Sequence, residues 1–388
     1  MFLPRALGVL TLVSGLLAGC SQSTNHPAAP TSPSGQAATT KQMAPPSAPP
    51  CDPQALIGKL TLRQELAQLL MVGVKDSADA RAVVANQEVG GIFIGSWTDL
   101  SIFDDGTLPA LQAEGALPLA VSVDEEGGRV SRLKKRIGTQ DSPRVLSQTQ
   151  TPEQVHDIAR DRGVKMKSMG ITIDLAPVTD VTDEPDDAVI GDRSFGSTPD
   201  QVTKFAGAYA QGLRDAGLLP VLKHFPGHGH GSGDSHTAGV VTTPPLDELK
   251  TNDMVPYRTL ATQAPVAVMV GHLEVPGLTG DDPASLSKPA YDLLRHGWDG
   301  GPPFSGVIFT DDLSSMAAIN ERYGVAAAVL KALQAGADIA LWVTTDEVPA
   351  VLDGLEKAVN ADELDRGQVD RSFVRVATMK GPSTKCVR

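Results

Sequence analysis

Three cysteines in 388 residues are too few for a disulfide scaffold. Aromatic residues make up only 4 % of the chain, while Gly (38) and Pro (29) are plentiful, a mixture that suits a loop-rich α/β protein. No GxGxxG follows the first apolar run and no GxxxxGK[ST] occurs, so nothing supports nucleotide binding. Acids are missing from one region altogether. None of the 46 Asp and Glu residues falls in residues 1–50, where Arg5 and Lys41 are the only charged side chains. The remainder therefore holds 31 of the 33 bases against all 46 acids, a charge of −15. A body of that sign repels polyanions, which excludes nucleic acid and an anionic membrane surface as partners of the fold itself.

What is present divides the chain. Residues 1–20 read as an export signal, with Arg5 as the positive end and Leu7 to Leu17 as an apolar run too short to span a bilayer comfortably. The run ends in Leu17-Ala18-Gly19-Cys20, which resembles the bacterial lipobox and marks Cys20 for lipidation. Residues 21–50 are Ser, Thr, Ala, Gln and Pro, with seven prolines from Pro27 to Pro50 that block helix and sheet. They read as a tether reaching roughly 30 Å as a coil and about 90 Å if extended as polyproline. The expected product is an exported lipoprotein on the extracytoplasmic face, held to the membrane through Cys20 only. Cys51 and Cys386 flank the body and, once exported, are expected to pair.

From residue 51 to 388, short apolar runs alternate with amphipathic stretches. The runs are 70–74, 91–95, 119–123, 171–175, 220–223, 266–270, 306–310 and 338–343. Thr61-Leu62-Arg63-Gln64 predicts a capping box opening a first helix. Longer helices are predicted from Pro152 to Met169 and from Pro199 to Gly217. Near-continuous apolar strands separated by helices indicate a parallel sheet covered on both faces. Eight such units predict an α/β fold of the (β/α)8 barrel type, a single catalytic domain over 51–388; an open doubly wound sheet is the alternative.

In such a barrel, chemistry collects at the C-terminal ends of the strands. Polar clusters fall there three times: Asp124 to Arg132 after the third run, Lys223 to His236 after the fifth, and Asp311-Asp312 after the seventh. Glu126 and Asp192 are read as surface charges, and His156, His272 and His296 as structural. The cluster after the fifth run holds four of the eight histidines, with glycines at 227, 229, 231 and 233. His228, His230 and His236 with Asp234 offer N and O ligands for a metal. The competing reading is a mobile catalytic loop in which Asp234 orients His236 for proton transfer near neutral pH. So many glycines make a poor rigid metal cage, which favours the dyad. Asp311 at a barrel mouth suits a nucleophile, a general base or an ion-pair partner, and spacing does not separate these.

Lys223-His224-Phe225-Pro226-Gly227-His228-Gly229 with Asp234-Ser235-His236 resembles the KHFPGHG-x4-DSH signature of bacterial β-N-acetylglucosaminidases of glycoside hydrolase family 3, including the NagZ-type peptidoglycan-recycling enzymes. Val123 to Val130 with Arg132 is similar to that family's VDxEGGRVxR segment, Gly191 to Gly196 to its GDRSFG loop, and Thr310 to Ser314 to its nucleophile segment. The resemblance covers nearly all of residues 54–345. It implies a barrel, a retaining two-step mechanism and no metal or cofactor. It implies Asp311 as nucleophile, His236 as general acid/base and Asp234 as its partner. Asp124, Arg132, Arg193, Lys223 and His224 match positions that hold a terminal N-acetylglucosamine (GlcNAc). The family's Met follows two residues after the Leu, whereas Leu313-Ser314-Ser315-Met316 has one more, so alignment on the Met would make Asp312 the nucleophile. The strand end fixes direction better than the loop after it, which favours Asp311. Many larger family members carry a further domain; here only a last helix and a tail fit after the eighth strand. The expectation is a lipid-anchored exo-β-N-acetylglucosaminidase, a monomer, acting on GlcNAc-containing peptidoglycan fragments. Its rivals are a phosphorylase, with phosphate as acceptor, and a lipoprotein that only binds cell-wall fragments or metal.

Overall fold

The computed structural model describes residues 52–115, 117–234, 239 and 241–381. Cys20, Cys51, His236 and Cys386 lie outside the described residues, so the lipidation site, the Cys51–Cys386 pairing and the acid/base histidine stay as expectations.

Eight short parallel strands match the eight apolar runs: β1 Leu70–Gly73, β2 Gly91–Ile94, β3 Ala120–Val123, β4 Ile173–Asp174, β5 Leu219–Phe225, β6 Ala267–Val270, β7 Ile308–Thr310 and β8 Ala340–Trp342. Nearly every strand residue is buried, as expected where helices cover the outside and packed side chains fill the inside. The strands are hydrogen-bonded in the order β8-β1-β2-β3-β4-β5-β6-β7. A parallel bridge between Phe309 and Ile339 brings the last to the first and closes the ring.

That closing seam is stitched partly by side chains. Thr310 N donates to Ile339 O at 3.0 Å, but the next ladder position runs from Leu341 N to the Thr310 hydroxyl, also at 3.0 Å. Val343 N in turn donates to Ser314 Oγ at 3.1 Å. Two hydroxyls thus do the work of backbone carbonyls beside the end of β7.

The predicted helix signals are realised. Thr61 and Gln64 bond reciprocally, with Gln64 N to Thr61 Oγ1 at 3.2 Å and Thr61 N to Gln64 Oε1 at 2.9 Å. The helices Pro152–Ser168 and Pro199–Asp215 each start with a proline after a threonine cap.

The end of the barrel opposite the catalytic loops is closed by a buried ion network. Asp338, fully buried at the start of β8, accepts from Arg295 and Ile308 N on one oxygen. On the other it accepts from Ser372 Oγ at 2.8 Å and Arg375 Nη1 at 3.1 Å. Ser372 and Arg375 belong to the last helix, Arg366–Lys380, so one carboxylate fastens that helix under the sheet.

Candidate active site

At the C-terminal ends of the strands lies a cleft of about 490 Å³. Asp124 immediately follows β3, Lys223 and His224 sit in the second half of β5, and Asp311 immediately follows β7. These four, with Arg132, Arg193 and Asp234, all line this one cleft. Every described residue the sequence nominated for catalysis or sugar binding is therefore brought together. Leu175, Met269 and Leu341 supply apolar lining between the charged groups.

The charged wall is organised by an acid that the sequence reading placed on the surface. Glu126 is 2 % exposed and ties two binding cations together. Arg193 meets it fork to fork, Nε to Oε2 at 2.8 Å and Nη2 to Oε1 at 2.9 Å, and Lys223 Nζ lies 2.6 Å from Oε1. Burial opposes its charge, but the Arg193 and Lys223 cations prevail and hold its carboxyl well below the ordinary range. The same contacts raise Arg193 and Lys223 against their own burial, so all three stay ionised. Lys223 Nζ also donates to Asp124 Oδ1 at 2.7 Å, leaving Asp124 less buried and open to the cleft. Asp192 likewise is not a free surface charge, since it pairs with Arg129 at 3.0 Å.

Glu125 does a different job. It is fully buried and accepts from Ser131 Oγ, Arg132 N, Leu133 N and Arg162 Nη2 at 2.5 to 2.8 Å. These bonds lock a small antiparallel hairpin, Glu125–Gly127 with Val130–Ser131, and so aim Arg132 at the cleft. Under it, Asp174 at the end of β4 accepts from Glu125 N at 3.0 Å. Burial, then the nearby Glu125 charge, push its carboxyl well above the ordinary range.

A second organiser was also missed from sequence. Asp180 is fully buried and accepts from His224 Nδ1 at 2.7 Å and from the backbone N–H groups of His224 and His228 at 3.2 and 2.8 Å. Burial opposes its charge, yet His224 keeps its carboxyl low. The bond to Nδ1 fixes the ring, so Nε2 is the edge His224 has left for a ligand. Burial pushes His228 down to about 4, so its ring is neutral at neutral pH. His230 turns away to Asp253 at 2.9 Å, which raises its pKa. Among the described residues, no three His, Cys, Asp or Glu side chains come together as metal ligands.

The glycine run after β5 has a packing reason rather than only a mobile one. A Cβ on Gly229 would sit 1.9 Å from Val181 O, and one on Gly227, at φ +138°, would strike Asp253 Cβ at 2.4 Å. These two glycines let the backbone press against its neighbours and carry His228 inward.

The two adjacent acids after β7 both line the cleft but differ in how their oxygens are used. Asp312 is 9 % exposed and spends both oxygens on its own turn. Oδ1 takes Ser314 N and Oγ, each at 2.8 Å, and Oδ2 takes Ser315 N at 3.2 Å and the Ser315 hydroxyl. Asp311 accepts from Asp312 N at 2.9 Å on Oδ1 and faces the cleft. The extra residue before Met316 belongs to this Asp312-capped turn. His272 supports it from below, bonded to Ser285 Oγ at 2.6 Å and Asp312 O at 2.7 Å.

A closed (β/α)8 barrel with a polar, carboxylate-bearing cleft at its mouth is the setting of a sugar-processing enzyme. Residues 61–379 match the glycosyl hydrolase family 3 N-terminal domain, and the chain belongs to that family, a glycoside hydrolase. It is 62 % identical over 390 residues to the β-hexosaminidase LpqI of Mycobacterium tuberculosis, with both chains covered in full. The solved structure of M. tuberculosis LpqI superposes with a TM-score of 0.85 at 68 % identity, covering 87 % of this chain and 98 % of that one. A family 3 β-N-acetylglucosaminidase from Paenibacillus sp. FPU-7 superposes with a TM-score of 0.77 at 32 % identity, over 83 % of this chain and 62 % of its own.

Proposed function

We propose that the protein is a retaining exo-β-N-acetylglucosaminidase that removes terminal GlcNAc from peptidoglycan fragments outside the cell membrane. The observation that carries this reading is the meeting of Asp311 with Asp124, Arg132, Arg193, Lys223 and His224 in one cleft, while Asp312 is consumed by its turn. Likeness to named β-hexosaminidases supports the activity. Asp124 accepts hydrogen bonds from sugar hydroxyls, and Lys223, Arg193 and His224 donate to hydroxyls and the N-acetyl carbonyl. With the sugar so held, an Asp311 oxygen attacks the anomeric carbon. The glycosidic C–O bond breaks and the leaving oxygen takes a proton from His236. His236, with Asp234 as its expected partner, then removes a proton from water, whose oxygen displaces Asp311. A histidine suits both steps because its ordinary pKa lies near the working pH.

Treating the full-length protein with 4-nitrophenyl β-N-acetylglucosaminide and then with a slow fluorinated analogue tests the reading. Release of nitrophenol and a glycosyl adduct on the peptide containing Asp311 are expected, with His236→Ala strongly impaired on the same glycoside. An adduct on Asp312, or none, overturns the assignment. Sugar 1-phosphate as the main product in phosphate buffer overturns hydrolysis. Globomycin-sensitive processing at Cys20 and a Cys51–Cys386 peptide in non-reducing maps are the expected marks of the exported lipoprotein.

A further inference from the structure

A second cavity, of about 260 Å³, lies at the other end of the barrel, where Ala120, Ile173 and Leu219 begin β3, β4 and β5. Its floor is apolar, with Leu119, Leu218, Pro265 and Met379. Its charged lining is of one sign: Lys167, Arg214 and Lys380, with no acid among the described residues. The chain that builds it has a net charge of −13.

The three cations arrive from the last turns of three helices, Pro152–Ser168, Pro199–Asp215 and Arg366–Lys380. A helix C-terminus attracts a cation, which accounts for one such residue per helix. It does not account for three of them around one apolar cavity.

Their partners inside the protein are neutral. Arg214 turns Nε and Nη2 to Gln211 Oε1 at 3.2 and 2.7 Å, and Nη2 also to Gln263 Oε1 at 3.3 Å. Its Nη1 is buried without a hydrogen-bond partner. The acid beside it in the chain, Asp215, gives its oxygens to His156 and Gln211 at 2.8 and 2.7 Å. Lys380 Nζ donates to Gln68 Oε1 at 2.7 Å. Burial pushes its ammonium down to about 7. Glu88 and Glu114 line a neighbouring groove with Gln68, not this cavity. Lys167 is exposed and adds the third charge.

Cations withdrawn from water onto apolar side chains and neutral amides cost stability until an anion completes them. We infer that this cavity is a binding site for a small amphiphilic anion, a carboxylate or phosphate head on a short hydrocarbon body. The head meets Arg214 and Lys380, and the body lies on Leu119, Leu218 and Met379. The site shares no residue with the catalytic cleft, so it acts on the stability of the barrel rather than on turnover. A bound anion favours the charged form of Lys380, so binding takes up a proton and weakens as pH rises above about 7. The other charged groups around it are Lys167 and Arg214 in the cavity, Asp215 and His156 behind Arg214, and Glu88 and Glu114 across Gln68.

Thermal melts of the full-length protein test this with hexanoate and hexyl phosphate. Inorganic phosphate supplies the head alone and hexanol the body alone. Wild type should gain about 2 °C or more at ten times the dissociation constant of either amphiphile. Arg214→Gln/Lys380→Met should weaken binding by about tenfold or more, melt no lower than wild type without ligand, and keep kcat/KM on the nitrophenyl glycoside. Lys167→Glu, at an exposed position outside the packing, should weaken binding severalfold. Lys380→Arg should keep binding and flatten the decline in hexanoate affinity between pH 6 and 8.5; hexanoate is ionised throughout, and His156 is unchanged in this variant. No shift in wild type, the same shift in the double variant, or an equal shift with phosphate or hexanol overturns the site. Competitive inhibition by hexanoate that survives in the double variant together with the shift places the anion in the catalytic cleft and overturns it as well.

Discussion

The barrel carries a buried ion network at each end, and the two are built from the same chemistry. At the closed end, Asp338 is ringed by Arg295, Arg375, Ser372 and a backbone N–H, and the surrounding donors are used up inside the protein. At the mouth, Glu126 holds Lys223 and Arg193, and Lys223 in turn holds Asp124, whose side chain stays 20 % exposed to the cleft. The difference lies in completeness rather than in strength. A saturated network secures the fold. A network saturated on its protein side alone is a preformed template for a polar ligand, because the cost of burying and orienting the charges is met during folding.

Four tests break or sharpen that contrast. The largest effect is expected from Asp311→Asn, with kcat on a nitrophenyl glycoside down by about 10³-fold or more and thermal stability little changed. Asp312→Asn should instead loosen the turn and cost far less turnover. The reverse pattern in single-turnover assays would make Asp312 the nucleophile. Next come Glu126→Gln and Asp338→Asn. Each removes the anion from a buried cluster and should destabilise by about 3–5 kcal/mol in denaturant titrations. Kinetics on the folded fraction separates them: kcat/KM should collapse for Glu126→Gln and hold for Asp338→Asn. If both keep activity, the mouth network is only structural.

A smaller effect comes from pH. The unfolded chain protonates His228 near 6.5, whereas burial delays this to about 4 in the fold. Between those values the unfolded state holds the extra proton, so stability falls as pH drops through the window, by up to about 3 kcal/mol. His228→Gln should flatten that part of the stability curve. The smallest effect is expected from Thr310→Val. It removes the acceptor for Leu341 N and should cost about 1–3 kcal/mol, with faster amide exchange at Leu341 as the direct readout.

The eight strands were legible because each is buried on both faces and so reads as a short apolar run, with its polar residues displaced to the end that bears chemistry. The helix starts were legible from local caps such as Thr61 with Gln64. Glu126 was not. Its partner Arg193 lies 67 positions away, and three charged loops look exposed until the barrel brings them together. Asp180 hid for the same reason, since its carboxylate meets His224, 44 positions on. The hairpin Glu125–Ser131 carries almost no apolar pattern and is held by a buried glutamate, so no periodicity announced it. The glycines at 227 and 229 suggested mobility when the cause was contact with Val181 and Asp253.

At the seam between β7 and β8, two hydroxyls stand in for main-chain acceptors. The β3–β4 joint uses the same device once, Val121 N donating to Thr172 Oγ1 at 2.9 Å, but a joint made of main-chain amides and carbonyls alone accepts any residue of suitable shape. Here the pairing is written in side chains. A single exchange at Thr310 or Ser314 alters how the main chain is joined next to Asp311. Sequence drift that a joint of main-chain bonds alone would absorb is felt here as a change of backbone. Engineers who wish to move or re-aim the nucleophile have in Thr310 and Ser314 a handle that does not touch the cleft itself.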